Sequence, residues 1–91
     1  MLVKLFASFR LPGVDRVEVT VVPGATVADA LQAVFERLPA LREQVLDPVS
    51  GQVAPHVQIM LKGRLIRDLQ GLDTPVADTD TMALFPPVAG G

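Results

Sequence analysis

Residues 26–38, TVADALQAVFERL, decide the fold class of this chain. Apolar side chains recur there at helical spacing and form a single stripe, which consists of Val27, Ala30, Leu31, Val34, Phe35 and Leu38. Thr26 and Asp29 have the spacing of a capping box, in which the threonine accepts a hydrogen bond from an unpaired amide of the first turn. The stretch therefore predicts one amphipathic helix that begins at Thr26 and needs an apolar surface to cover.

Two runs with strand periodicity precede this helix. Residues 2–10, LVKLFASFR, place Val3, Leu5, Ala7 and Phe9 on one face, and residues 17–22, VEVTVV, alternate in the same way after a turn at LPG. A period of two residues is typical of half-buried strands. The two runs are therefore predicted to pair as a hairpin.

Further strands are predicted after the helix. Pro39 should end the helix or open a second short helical turn over residues 39–46, and residues 47–55 have the composition of a loop. In residues 56–67, HVQIMLKGRLIR, a two-residue turn at Lys62-Gly63 would pair Ile59 with Ile66 inside and Met60 with Leu65 outside. Residues 81–85, TMALF, form the last predicted strand.

The order of these elements predicts an α+β protein with a mixed sheet of about five strands, covered on one face by one long helix. The first and last strands both carry apolar runs, which favours central, parallel positions for them. This order matches a β-grasp, or ubiquitin-like, roll. We expect residues 1–87 to form the β-grasp domain and residues 88–91 to be a flexible diglycine tail.

Composition excludes several classes of protein. The 91 residues include no cysteine, which excludes disulfides and thiolate metal sites, and every apolar run is shorter than the ~20 residues of a membrane span. The first residues have the pattern of a strand and lack that of a signal peptide, so we expect a cytoplasmic protein. The net charge of −2 and the scattered basic residues argue against direct binding of nucleic acid, and the short apolar runs argue against a membrane partner.

Conventional reactive groups are sparse. His56, the one histidine, follows a proline at a predicted strand start, and a solvated or capping role is the simplest interpretation. Asp78 and Asp80 precede the last strand, where short acids commonly bind the backbone of their own turn. We expect neither a metal site nor catalysis by the domain alone.

The chain ends in FPPVAGG, and this segment has its own chemistry. Pro86 and Pro87 lack backbone donors, so the last strand cannot continue through them. Residues 88–91 can then extend at most about 13 Å, at about 3.3 Å per residue. Glycines lack Cβ atoms, so Gly90 and Gly91 suit passage through a narrow channel and leave the terminal carboxylate open to attack. A frayed end is the alternative interpretation.

Together, KLFASFR, PGATVADAL and GLDTPVADTDTMALFPPVAGG resemble the MoaD-like sulfur carriers, the small subunits of molybdopterin synthase. That resemblance spans essentially the whole chain. It implies that a MoeB- or ThiF-like enzyme uses ATP and Mg²⁺ to adenylate the terminal glycine, which becomes a thiocarboxylate. A MoaE-like large subunit then takes the sulfur for molybdopterin, the precursor of the molybdenum cofactor. On this resemblance Gly91 carries the sulfur, Gly90 gives it passage, and the protein binds no cofactor itself.

The resemblance also implies a partner-binding patch on the open face of the sheet. Phe6, Leu65 and Phe85 match its positions, and strand parity places Met60 beside Leu65. Arg10 matches a basic position near the partner surface, and a solvated arginine is an equally consistent interpretation. Pro86, Pro87 and Val88 lead from the patch into the tail and are also expected to contact the partner. A covering loop is the alternative explanation for these apolar residues.

Other functions use the same terminal glycine. Relatives of this class include ubiquitin-like modifiers that are joined through the glycine to lysines, and sulfur donors for transfer-RNA thiolation. A β-grasp interaction module with an inert tail is a third class. The sequence leaves the acceptor pathway, the activating enzyme and the oligomeric state open.

Overall fold

The structure, a computed structural model, describes residues 1–87. Its regular elements follow the predicted order of two strands, a helical segment and three strands. They are β1 (Leu2–Leu5), β2 (Arg16–Glu18), α1 (Val27–Arg37), α2 (Arg42–Val45), β3 (Gln58–Leu61), β4 (Arg64–Leu65) and β5 (Thr81–Phe85). Short 3₁₀ turns occupy Ala7–Phe9, Pro39–Leu41, Ile66–Asp68 and Gly71–Asp73.

A five-stranded mixed sheet organises the domain, with the strand order β2-β1-β5-β3-β4. The central pair, β1 and β5, is parallel, and every other neighbouring pair is antiparallel. The predicted β-grasp roll and its central parallel pair are thus confirmed. A parallel pair of strands needs a long crossover connection. The chain between β1 and β5, which includes the helical segment, is that connection.

Helix α1 begins where the capping box predicts. The Asp29 amide donates to Thr26 Oγ1 (3.4 Å), and the Thr26 amide donates to Asp29 Oδ2 (2.9 Å). The predicted apolar stripe is buried except at its last member, Leu38, which is half-buried. The helical cover is not one long helix, however, because α1 has 11 residues and the chain turns at Pro39 into the four-residue α2.

The core lies between α1 and the inner face of the sheet. Inner residues of the three middle strands are almost fully buried, and they are Val3, Leu5, Ile59, Leu61, Met82 and Leu84. Leu41 and Val45, from the turn after α1 and from α2, are buried as well. None of the helices within residues 1–87 combines the length and the hydrophobicity of a transmembrane segment.

The first two strands are shorter than predicted. The alternation of the first run stops after Leu5, because Ala7 adopts a left-handed backbone (φ 50°) and opens a 3₁₀ turn. Ala7 is therefore exposed, whereas the turn still brings Phe9 into the core. The second strand is Arg16–Glu18, so it contains only the first two residues of the predicted run, although Val19 and Val21 remain buried.

The hairpin of β3 and β4 is confirmed in its turn and in one of its two predicted pairs. Lys62 and Gly63 both have positive φ (51° and 79°), as a two-residue hairpin turn of type I′ requires. Met60 stands opposite Leu65, as predicted. Ile66 is buried but begins a 3₁₀ turn, so the strand ends before the predicted pairing with Ile59.

Candidate functional site: the open sheet face and the end of β5

Within residues 1–87, one face of the sheet is fully covered and the other is not. Along β5 the burial alternates, with Met82 and Leu84 fully buried and Ala83 and Phe85 half-buried. The same alternation runs along β1 and β3. The face opposite α1 is therefore accessible over its central strands.

Strand registers define which side chains are neighbours on this open face. Ala83 of β5 stands opposite Lys4 on one side and Met60 on the other, and Met60 stands opposite Leu65. Residues directly opposite in a sheet point to the same face, so Ala83, Met60 and Leu65 form a continuous apolar row. Lys4 continues this row toward Arg16 of β2.

Phe6 and Phe85 meet beside this row. Their rings stack with centroids 4.4 Å apart and an interplanar angle of 12°. The Phe6 amide donates to the Leu84 carbonyl oxygen (3.2 Å), which extends the β1–β5 ladder beyond Leu5 and holds the two rings together. Both side chains are half-buried, so the stack forms one end of an apolar patch composed of Phe6, Met60, Leu65, Ala83 and Phe85.

The structure thus brings four of the predicted partner-binding residues together on one face. Pro86 is half-buried and Pro87 exposed directly after this patch. Arg10 is exposed beyond the first 3₁₀ turn, where it lines a separate depression of about 350 Å³ with Leu11, Gly13, Val14 and Asp15. Val88, Gly90 and Gly91 lie outside the described residues.

A cavity of about 470 Å³ opens where β5 ends. It is lined by Ala7, Ser8, His56, Gln58, Phe85, Pro86 and Pro87, and we call it the root pocket. His56 and Gln58 also line an adjoining groove of about 370 Å³ that reaches Leu65 and Leu72. The root pocket therefore contains three residues that the sequence predicted for partner binding and four that it did not.

These unpredicted residues differ in how they could have been found. Gln58 shares the outer parity of β3 with Met60, so the alternation contains its position. His56 and Ala7 both have positive φ (65° and 50°), a backbone state that is uncommon for residues other than glycine and that no local pattern announces. Ser8 reaches the pocket through the 3₁₀ turn that the sequence interpretation missed.

Asp78 and Asp80 have structural surroundings. Asp80 Oδ2 accepts from the Ala77 amide (2.9 Å), as predicted for an acid in its own turn. Asp78 Oδ1 instead accepts from the Val21 amide (3.1 Å) and from the Met1 ammonium (3.2 Å). The hydrogen bond from the Val21 amide, and after it the Met1 ammonium group, hold the pKa of Asp78 below its ordinary value. Among residues 1–87, no group of three potential ligands could hold a metal ion.

The sequence of this chain is similar to known proteins over almost its whole length. The profile of the ThiS family matches residues 3–91. Small archaeal modifier protein 3 of Haloferax volcanii is 35% identical over 89 residues, which cover 97% of this chain and 95% of that protein.

Solved structures share the fold closely. The crystal structure of SAMP1, a small archaeal modifier protein from Haloferax volcanii, superposes with a TM-score of 0.86 at 36% identity, over 99% of this chain and 97% of the other. A chain from Pyrococcus furiosus, named as a candidate molybdopterin converting factor, subunit 1, has a TM-score of 0.72 at 32% identity, over 96% and 95%. The fold is therefore shared by proteins named for two different uses.

Proposed function

Because this chain belongs to the ThiS family of ubiquitin-like sulfur carriers, we propose that it carries sulfur as a thiocarboxylate on Gly91. The acceptor we favour is the molybdopterin precursor, with a MoaE-like large subunit as the catalytic partner. The small protein is then the noncatalytic subunit of that assembly. Its similarity to a candidate molybdopterin converting factor subunit supports this choice.

Loading requires two steps, both on a partner enzyme. The Gly91 carboxylate attacks the α-phosphorus of ATP on a MoeB- or ThiF-like enzyme with Mg²⁺, and pyrophosphate leaves. A sulfide-level nucleophile then attacks the acyl carbon, AMP leaves, and a thiocarboxylate remains. This domain contributes an unhindered carboxylate and a docking surface, and the enzyme contributes the nucleotide site.

The observation that carries the proposal is the position of the Phe6–Phe85 stack. It ends the apolar patch on the last residue of β5, and Pro86 follows at once. Because proline cannot continue the ladder, the chain leaves the sheet at the edge of the patch. A partner bound on the patch therefore lies beside the start of the segment that carries Gly91.

Intact-mass measurement tests the proposal. The protein is incubated with its cognate MoeB- or ThiF-like enzyme, Mg-ATP and a sulfur donor, and we expect the mass gain of one oxygen-to-sulfur exchange. A Gly91 deletion variant is the matched control and should gain nothing. If the intact protein also gains nothing while a known carrier is loaded in parallel, the proposal is wrong.

A ubiquitin-like modifier is the second candidate function, and the similarity to small archaeal modifier proteins favours it. The same adenylate would then react with a lysine amine of another protein in place of sulfur. Proteomic detection of Gly-Gly remnants on cellular lysines, lost on deletion of this gene, would support conjugation. If deletion of this gene removes thiolated transfer RNA and leaves molybdopterin intact, the carried sulfur goes to transfer RNA instead.

A further inference from the structure

We propose that the root pocket receives one aromatic side chain with a polar tip, a tyrosine or a tryptophan, from the enzyme that adenylates Gly91. This inference rests on the proposed function and deepens it. It adds His56, Gln58 and Ser8 to the surface that the partner contacts. It also assigns a chemical class to the group that fills the pocket.

The short span between Pro87 and Gly91 brings the enzyme close to the root pocket. Pro87 lines the root pocket, and the four residues 88–91 span at most about 13 Å at about 3.3 Å each. An enzyme that binds the Gly91 carboxylate in its active centre must therefore approach Pro87 within that distance. Its surface then lies close to the mouth of a cavity of about 470 Å³, which a side chain of the enzyme can enter.

The lining selects a neutral side chain. Among the described residues that line the pocket there is no lysine, arginine, aspartate or glutamate. A charged anchor would lose hydration there without gaining a permanently charged partner, which is unfavourable. The enzyme is therefore expected to insert an uncharged group.

Apolar and polar parts of the lining favour an aromatic group with one donor. Phe85, Pro86 and Pro87 supply ring surfaces. Ser8, His56 and Gln58 also line the pocket, and their side chains carry oxygen and nitrogen atoms. Tyrosine and tryptophan combine a flat apolar body with a single O–H or N–H, and they are enriched among the residues that dominate interface energies.

The backbone around the pocket carries a conformational cost. Ala7 and His56 line it with φ values of 50° and 65°. Left-handed backbone at residues other than glycine is unfavourable and is concentrated at functional sites. Two such residues, on two separate segments of the chain, line this cavity, and this agrees with a role of the cavity in binding.

Filling the pocket from within tests the inference. Ser8→Trp and Gln58→Trp each place an indole at a wall of the pocket, and Ser50→Trp places one on an exposed serine outside it. With the cognate MoeB- or ThiF-like enzyme and Mg-ATP, pyrophosphate release is measured against carrier concentration. We expect the two pocket variants to raise KM roughly five- to thirtyfold with kcat little changed, as loss of one interface anchor would.

The enzyme side chain that enters the pocket is identified by double-mutant coupling between enzyme and carrier variants. Surface tyrosines and tryptophans of the enzyme are changed to alanine one at a time and assayed with the wild-type carrier and with Ser8→Trp. We expect one enzyme variant to raise KM for the wild-type carrier and to have little further effect with Ser8→Trp. If no aromatic variant shows this coupling, the assigned class of occupant is wrong.

Failure of this inference is distinct from failure of the proposed function. No pyrophosphate release with the wild-type protein would overturn the proposed function. Release with the wild type, together with KM values for both pocket variants within about twofold of the Ser50→Trp control, would overturn only the root-pocket inference.

Discussion

Phe6 and Phe85 stack across the two central strands with ring centroids 4.4 Å apart and nearly parallel planes. The two residues are far apart in the chain, and the parallel pairing of β1 with β5 brings them together. Both remain half-buried on the open face. The stack therefore joins the stability of the sheet to the surface proposed for docking.

Alanine substitutions at this stack should show energetic coupling. We expect Phe6→Ala and Phe85→Ala each to lower the free energy of unfolding by less than the ~3–5 kcal/mol of a fully buried phenylalanine, because both rings are half-exposed. The double variant should lose about 0.5–1.5 kcal/mol less than the sum of the singles. Denaturant unfolding of the four proteins measures this coupling, and strict additivity would contradict a stabilising stack.

Gly91→Ala should separate function from folding. The added methyl group obstructs passage through a narrow enzyme channel, so we expect sulfur loading to be abolished. We expect residues 88–91 to contribute nothing to the packed domain, so the melting temperature should stay nearly unchanged. Intact mass and thermal unfolding are measured on the same sample, and a large fall in melting temperature would mean that this end packs against the domain.

Asp78 should make stability depend on acid pH. Its pKa is lower in the folded protein, so its stabilising effect is present above the ordinary value of 3.8 and is lost as the pH falls through the folded pKa. We expect Asp78→Asn to be less stable than wild type at neutral pH, with the difference shrinking below about pH 4. Urea unfolding across this pH range measures it, with the exposed Asp73→Asn as a control that should track wild type.

The Met1 ammonium should be part of the same interaction. It is buried and donates to the Val19 carbonyl oxygen (2.7 Å) as well as to Asp78 Oδ1. Acetylation of this α-amino group removes its charge and is expected to lower the melting temperature. The loss should be smaller in Asp78→Asn than in wild type, because the two changes remove one shared interaction. Equal losses in both backgrounds would show that the ammonium acts independently of Asp78.

Ala7→Gly should stabilise the protein. Ala7 has φ 50°, and glycine adopts this conformation without the steric cost that an L side chain meets. We expect a gain of about 0.5–1 kcal/mol after the larger loss of glycine entropy on folding is deducted. The same substitution at Ala28, exposed in α1, should instead cost about 1 kcal/mol. Thermal melts that move in the same direction for both would contradict left-handed strain at Ala7.

Local patterns were enough to predict most of the fold. The helical stripe from Val27 to Phe35, the capping box at Thr26 and Asp29, and the last strand at Thr81–Phe85 all match the structure. Each depends on residues within a few positions of one another, where side-chain periodicity and capping chemistry act. Strand parity likewise placed Met60 and Leu65 side by side on the open face.

Tertiary structure alone decided the shape of the site. The root pocket joins residues 7 and 8, 56 and 58, and 85–87, which come together only because β1 and β3 both flank β5. The hydrogen bond between Met1 and Asp78 spans 77 positions and exists because β1 and β5, which these residues precede, pair in parallel. The sequence by itself determined the secondary-structure elements, because helix and strand propensity and side-chain periodicity are local. It also contains the terminal glycines directly. Pairing of distant strands determined which side chains surround the end of β5, because no short stretch of sequence contains the backbone geometry that holds them there.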